Sequence, residues 1–410
     1  MRVTRRKILQ TAAGTAALSA IGGPTFAQPG AGEIVIGSLH DLSGGLDVVG
    51  KPMEEALQLA VEEINATGGL LGRKVRVVTL DTQTNVQLCA QYAQQLALKD
   101  KASVVFGGIT SASREVIRPV MRRFNTLYFY NTQYEGGVCD RNIFCTGQTP
   151  AQNVDKLVPY VTRRWGKKIY VIAADYNYGH ITADWIKKYA KTSGAEVVAA
   201  DFFPLDVNQF GPTIQKIQAA KPDLVISVLV GGAHMAFYRQ WAAAGMSSRI
   251  PLASTTFSVG SEHIVLSPAE SDGIVTAFNY FESIDTPVNQ AFVSRWHKRY
   301  GSGYPYICEM AVATYQGVNL WAQGIRKAGS LDRMKTIEAL EDGVSFDGPS
   351  GKVSIDPATH HCTLDIQIAE CKDRKWQIRE TFKQQKPVET AAVCDLRKNP
   401  GENKQFVVKV

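Results

Sequence analysis

Beyond residue 27 the sequence has no uncharged stretch long enough to cross a bilayer as a helix, which excludes a multi-span helical membrane protein. It also lacks a G-x-S-x-G turn and an H-E-x-x-H helix, so neither a hydrolase nucleophile elbow nor a zinc-protease site of that type is encoded. Charge excess is small. The formal net charge is +7, and Arg2, Arg5, Arg6 and Lys7 supply four of it. The remaining balance, about +3, is too low to point to nucleic acid or an acidic membrane surface. "GLDVVGKP" (45–52) nearly spells a phosphate-binding loop, but Pro52 stands where a Ser or Thr would hold magnesium. A turn with Pro52 at the first position of a helix is expected instead. In "HHC" (360–362) successive strand residues point to opposite faces, so no metal is expected, and no motif asks for a cofactor.

At the amino end, "TRRKILQ" puts Arg5 and Arg6 together, the run from Ile8 to Ala27 carries no charge, and "TFAQ" offers small residues at Thr25 and Ala27. These features predict a twin-arginine export signal over 1–27, cut after Ala27, and hence a periplasmic protein. All seven cysteines follow it, so disulfides are allowed and one thiol is left over. Cys139 and Cys145 lie six apart in the turn-rich "CDRNIFC" and are expected to pair. Cys362 and Cys371 bracket an alternating strand and are too far apart to bond. Cys394 is expected to pair with one or the other, and Cys89 to be a buried thiol.

The 383 residues after Ala27 are too many for one ordinary domain. They alternate between β-rich runs and helical stripes. "EIVIGSL" (33–39), "KVRVVTLD" (74–81), "ASVVFGG" (102–108) and "TLYFYN" read as strands. Helices are expected over 53–69, 86–100 and 113–125. A second series of the same kind runs from "KKIYVIAAD" (167–175) to "IPLASTT" (250–256). The tail from 351 reads as antiparallel strands turning at 372–375. The pattern predicts an α/β fold of two Rossmann-like lobes, each a mostly parallel sheet flanked by helices. In such sheets ligands bind beyond the carboxyl ends of the strands. Those ends read "FGGITSASR", "FYNTQYEGG", "AADYNYGH" and "VLVGGAH", rich in hydroxyls, tyrosine and glycine and poor in charge.

At "GGITSASREVIRPV", "YNTQYEGG" and "AADYNYG" the chain resembles the periplasmic solute-binding proteins of ABC transporters, in particular the urea and short-chain amide branch of the Leu/Ile/Val-binding superfamily. "AVEEINATGGLLGRKV" and "FESIDTPVNQAFVSRW" carry the same likeness. The resemblance implies a type I periplasmic binding fold with a three-crossing hinge near "TGQTPAQN", "VTAFNYFES" and "FDGPSGKVS". Lobe one would then comprise 33–150 and 279–350, lobe two 151–278 and 351–390, with a C-terminal tail over 391–410. It implies ligand contacts from Ser111, Tyr130 and Thr132 in lobe one and from Tyr176 in lobe two, beside Thr110, Gln133 and Gly231 at the same strand ends. The chain departs from the amide binders at Ile109, Asn131 and Gln133.

The expected function is capture of a small neutral polar ligand, urea or a short amide, for delivery to an inner-membrane ABC permease. A branched-chain or other amino acid is the alternative ligand. A sensory ligand binder and an amide hydrolase are alternatives of another class. The choice of a neutral ligand rests on the acid that an ammonium would need. The resemblance implies that in the amino-acid branch this acid follows the strand matching "PLASTT", and here the first acid after it is Glu262, several residues late.

Overall fold

The computed structural model describes residues 32–407. The expected export signal over 1–27 lies outside the described residues. The chain first runs through β1 (Ile34–Leu39), α1 (Asp47–Ala66), β2 (Val75–Thr79), α2 (Val86–Leu98), β3 (Val104–Gly107), α3 (Ser111–Arg123), β4 (Leu127–Tyr130), β5 (Val138–Asp140) and β6 (Ile143–Cys145), and all of these strands but β5 form the first sheet. Its strand order is β2-β1-β3-β4-β6, and every pair in it is parallel. α1 starts at Asp47, so Pro52 lies inside the helix rather than at its first position. The start is displaced because Gly50 lets this turn press on the chain after β1: a Cβ there would stand 2.0 Å from the Asp41 carbonyl oxygen.

The second sheet follows α4 (Pro150–Trp165), a helix that the strand–helix alternation did not mark and that Pro150 opens within a Thr149–Gln152 capping box. The chain then runs through β7 (Lys168–Ala174), α5 (Asn177–Thr192), β8 (Glu196–Phe203), α6 (Gly211–Ala220), β9 (Leu224–Val228), α7 (Gly231–Ala243), β10 (Leu252–Ser254), two single turns α8 (Glu262–Val265) and α9 (Pro268–Ser271), and β11 (Val275–Phe278). The order β8-β7-β9-β10-β11 repeats the order β2-β1-β3-β4-β6 of the first sheet. Each sheet therefore has a switch point, between β1 and β3 in one and between β7 and β9 in the other, where loops diverge and leave a crevice.

After β11 come α10 (Pro287–Tyr300), α11 (Glu309–Ala328) and α12 (Arg333–Glu341). α11 packs along α1. α10 is tied to α1 by Arg295–Glu63 and Arg299–Glu62 ion pairs and by the Tyr300 hydroxyl, 2.6 Å from the Glu55 carbonyl. The chain then forms β12 (Ser345–Gly348), β13 (Gly351–Ile355), β14 (Cys362–Lys372) and β15 (Lys375–Gln385), all antiparallel, and β14 joins β11. A last turn, α13 (Val388–Ala391), leads to β16 (Asn403–Gln405), which pairs with β5.

The disulfide is Cys139–Cys394, and the expected Cys139–Cys145 pair is not formed. β5 leaves the main sheet to pair with β16, whereas β6 stays in it with Cys145 beside Tyr130, so the two cysteines belong to different sheets. Cys394 therefore bonds neither Cys362 nor Cys371; both are buried free thiols on β14, and Cys89 and Cys145 are buried free thiols as well. The histidines of "HHC" part company. His360 pairs with Glu341 and stacks on Phe144, while His361 meets the Tyr134 hydroxyl. Among the described residues no group of three or more His, Cys, Asp or Glu is placed to hold a metal.

Glu54, facing inward from α1, shows how one buried acid ties helix to sheet. It accepts hydrogen bonds from Thr79 Oγ1 (2.6 Å), Gln58 Nε2 (2.7 Å) and the Ser38 hydroxyl, and faces His40 at 3.2 Å. Burial pushes its pKa up, but His40 and the hydroxyls outweigh this and hold it down at about 2. A depressed folded pKa contributes stability that is complete above the ordinary value of 4.5 and is lost as pH falls towards 2. Glu54→Gln is expected to flatten the stability–pH curve in that window, by roughly 3 kcal/mol at most. Denaturant titrations at a series of acid pH values check this; an unchanged slope would remove Glu54 from the account.

Candidate functional site

A cavity of about 360 Å³ opens where the two switch points face each other. Leu46, Val48 and Val49 reach it from the chain after β1, Ile109 to Ser111 from the end of β3, and Tyr130, Thr132 and Gln133 from the end of β4. Tyr176 and Tyr178 reach it after β7, Gly231, Gly232 and Met235 after β9, and Thr256, Val259 and Glu262 after β10. All seven residues singled out from the sequence therefore line one cavity: Thr110, Ser111, Tyr130, Thr132, Gln133, Tyr176 and Gly231. Gly231 opens α7 at φ +62°, a conformation that favours glycine, with Leu46 of the opposite wall 4.0 Å from where a Cβ would stand.

Local structure explains why these side chains meet. In β4 the alternation buries Phe129 against Phe106 and Phe144 on one face, with ring centroids 5.2 and 5.0 Å away. Tyr128 and Tyr130 are sent to the other face, where their hydroxyls donate to the carbonyls of Gly107 and Ile109 at 2.9 and 2.8 Å. Thr110 caps α3 by accepting from Ser113 N–H at 3.1 Å. The Ser111 and Ala112 N–H groups of that first turn have no intrahelical partner. α5 and α7 begin beside the same cavity without a side-chain cap.

The hydroxyl protons are largely committed. Ser111 donates to Glu135 Oε2 (2.6 Å), Thr132 to Gly108 O (3.2 Å), Tyr178 to Thr255 Oγ1 (3.1 Å) and Thr256 to Leu229 O (2.6 Å). Gln133 is spent too: its Nε2 donates to Thr255 O at 3.0 Å across the cleft, and its Oε1 accepts from Gln148 at 3.1 Å. Tyr176, half-buried with its ring 6.1 Å from that of Tyr178, is the exception, for its hydroxyl meets no protein partner among the described residues. Apart from Tyr176, whose hydroxyl can donate, the lining thus presents hydroxyl oxygens as acceptors and backbone N–H groups as donors.

Among the described residues that line the cavity there is no lysine, arginine or histidine, and Glu262 is the one acid. Glu262 is not late in space. The turn after β10 folds back and brings it to the wall, a displacement that spacing along the chain does not reveal. Its oxygens accept from Ser258 N–H (2.7 Å) and Gly260 N–H (2.8 Å), and His234 Nε2 stands 3.1 Å away. Burial opposes its charge, but His234 and these hydrogen bonds outweigh burial and hold its pKa below the ordinary value. Behind the wall, burial pushes the Glu309 carboxyl up to about 8.

Beneath Ser111 lies a pair that the sequence reading missed. Arg114 is fully buried, with Nη2 2.9 Å from Glu135 Oε1 and Nε 3.0 Å from Glu115, and its guanidinium lies 5.0 and 4.5 Å from the ring centres of Tyr130 and Tyr134. The shared motif residues "SASR" and "YEGG" are the signal that pointed to it.

Two sheets whose parallel strands follow the same order, with a cavity between the carboxyl ends of those strands, define an α/β ligand-binding protein rather than a scaffold with a surface site. Residues 34–399 match the periplasmic binding protein domain family, and the chain belongs to it. It is 24% identical over 368 residues to Leu/Ile/Val-binding protein homolog 6 of Brucella melitensis, covering 86% of this chain and 92% of that one. Among solved structures, the solute-binding protein of an R. palustris ABC transporter in complex with 4-hydroxybenzoate superposes with a TM-score of 0.78 at 24% identity, over 87% of this chain and 98% of that one. The leucine-, isoleucine-, valine-, threonine- and alanine-binding protein of Brucella ovis, in its closed conformation, gives 0.77 at 20%, over 86% and 96%. At such identities these structures show the fold, the type I periplasmic binding fold.

Proposed function

We propose that the protein is the exported solute receptor of an ABC importer and that it holds a small neutral ligand, an amide bearing an apolar or aromatic group, between two lobes. The lobes are 33–150 with 279–350 and 151–278 with 351–390. The tail after 390 is held by lobe one, because Cys394 bonds Cys139 and β16 pairs with β5. One observation carries the ligand reading: an apolar cavity of about 360 Å³ whose lining has no cation and whose hydroxyl protons are mostly already given away. An amide offers N–H groups to those oxygens and a carbonyl to the free N–H groups of the helix starts. Urea would leave most of the volume empty, so the size favours an amide with a larger body. The R. palustris protein is in complex with 4-hydroxybenzoate and the Brucella ovis protein is named for leucine, isoleucine, valine, threonine and alanine, all of them larger than urea.

An amino acid is the second reading, because Glu262 lies at the wall, where an ammonium would need it. Calorimetry with benzamide, acetamide, urea and leucine separates the two. Binding of benzamide without leucine supports the amide. Sub-micromolar leucine binding that Glu262→Gln abolishes would replace it with the amino acid.

Two further outcomes are expected. Tyr176→Phe should weaken amide binding by about 1–3 kcal/mol, since its hydroxyl is free for a ligand; wild-type affinity would remove it from the site. Small-angle scattering should show compaction on saturation with ligand, as expected when both lobes hold it. Superimposable profiles would count against a clamp.

A further inference from the structure

We propose that Glu135, which does not line the cavity, sets the hydrogen-bond polarity of the site: by taking the Ser111 proton it presents Ser111 to the ligand as an acceptor and selects an amide nitrogen over a carboxylate of the same shape. The inference rests on the amide reading above. Glu135 is 1% exposed, and its two oxygens have different tasks. Oε1 receives only donors, Arg114 Nη2 at 2.9 Å and the Gln405 amide, while Oε2 faces Ser111 Oγ at 2.6 Å. An ionised carboxylate can only accept, so the one proton between Oε2 and Oγ is the serine's. What Ser111 shows the cavity is then a lone pair. A carboxylate placed there meets oxygen against oxygen, whereas an amide N–H finds an acceptor.

The C-terminal tail takes part in this arrangement. Gln405 lies on β16, whose register against β5 pairs it with Val138, and its amide reaches the Glu135 carboxylate. Arg118 and Arg122 hold the same segment by its carbonyls, Arg118 Nη1 to Asn403 O at 2.7 Å and Arg122 Nη1 to Glu402 O at 3.0 Å. Glu135 is thus fixed from α3 by Arg114 and from the tail by Gln405. It is a positioning residue, acting on the ligand through Ser111.

The matched pair benzamide and benzoate tests this by calorimetry. The wild type should bind benzamide about tenfold or more tightly than benzoate. In Glu135→Gln, Arg114 keeps the oxygen as its acceptor, so the new N–H₂ faces Ser111 and frees the serine proton for the cavity. The ratio should fall or invert in favour of benzoate. Adding Ser111→Ala should erase that gain; a gain that persists without Ser111 would come from charge alone and overturn the proposal. Because Glu135→Gln leaves Arg114 short of a counter-ion and the variant can fail to fold, neutron diffraction on the ligand-free wild type gives a second reading. A deuteron on Ser111 Oγ aimed at Glu135 Oε2 is expected, and one aimed into the cavity would overturn the proposal. If the wild type binds neither compound, the ligand reading fails and the deuteron position alone decides the role of Glu135.

Discussion

Arg114→Met is expected to destabilise the protein by about 3–5 kcal/mol, the cost of stranding a buried charge. The residue has no exposed surface, and its guanidinium closes against the Glu135 carboxylate, itself buried. Burial pulls the arginine pKa down, but Glu135 outweighs burial and holds it well above its usual value, so the group stays charged. Methionine fills the volume between Tyr130 and Tyr134 but leaves Glu135 with the Gln405 amide and the Ser111 hydroxyl as its remaining partners. Chemical denaturation measures the loss. Arg114→Met/Glu135→Leu should recover most of it, because replacing both charges with apolar side chains removes the unpaired ion. A single-variant loss below about 1 kcal/mol would show that solvent reaches the pair.

Cys139→Ser/Cys394→Ser is expected to cost about 2–5 kcal/mol and to free the tail. The bond spans 255 residues, a long loop whose closure restricts the unfolded chain strongly. Without it the tail relies on a three-residue strand, β16, on the arginine contacts to its carbonyls, on the Gln405 amide at Glu135 and on backbone bonds from Leu396 to Ala358 and from Phe406 to Gly137. Hydrogen exchange should therefore speed up over 394–407 and over β5 while β1, β3 and β4 stay protected. A reductant added to the oxidised wild type should reproduce the shift in unfolding midpoint. Equal midpoints with and without reductant would mean that the noncovalent contacts suffice to hold the tail.

What the sequence by itself determined is whatever depends on short-range periodicity. Apolar residues at 53, 56, 57, 60, 61 and 64 make a helical stripe wherever the chain is placed, and "EIVIGSL" or "KKIYVIAAD" makes a buried strand. Alternation of the two leaves little besides parallel sheets, and the hydroxyl-rich strand ends then fall together because parallel strands end on one side. That is why Thr110, Ser111, Tyr130, Thr132, Gln133, Tyr176 and Gly231, far apart in sequence, were legible as one group and do line one cavity.

Only the tertiary structure decided which polar atom each of these groups spends on the protein. The partner of Ser111 is 24 residues on, that of Gln133 lies 122 residues on across the cleft, and that of Cys139 lies 255 residues on. No local pattern encodes such pairings, because they depend on which strand ends, loops and tail the fold brings side by side. Glu262 was misjudged for the same reason: distance along the chain was taken for distance in space, and the turn after β10 closes it. The character of the site as a set of acceptors follows from those long-range bonds, since a hydroxyl can give its proton only once.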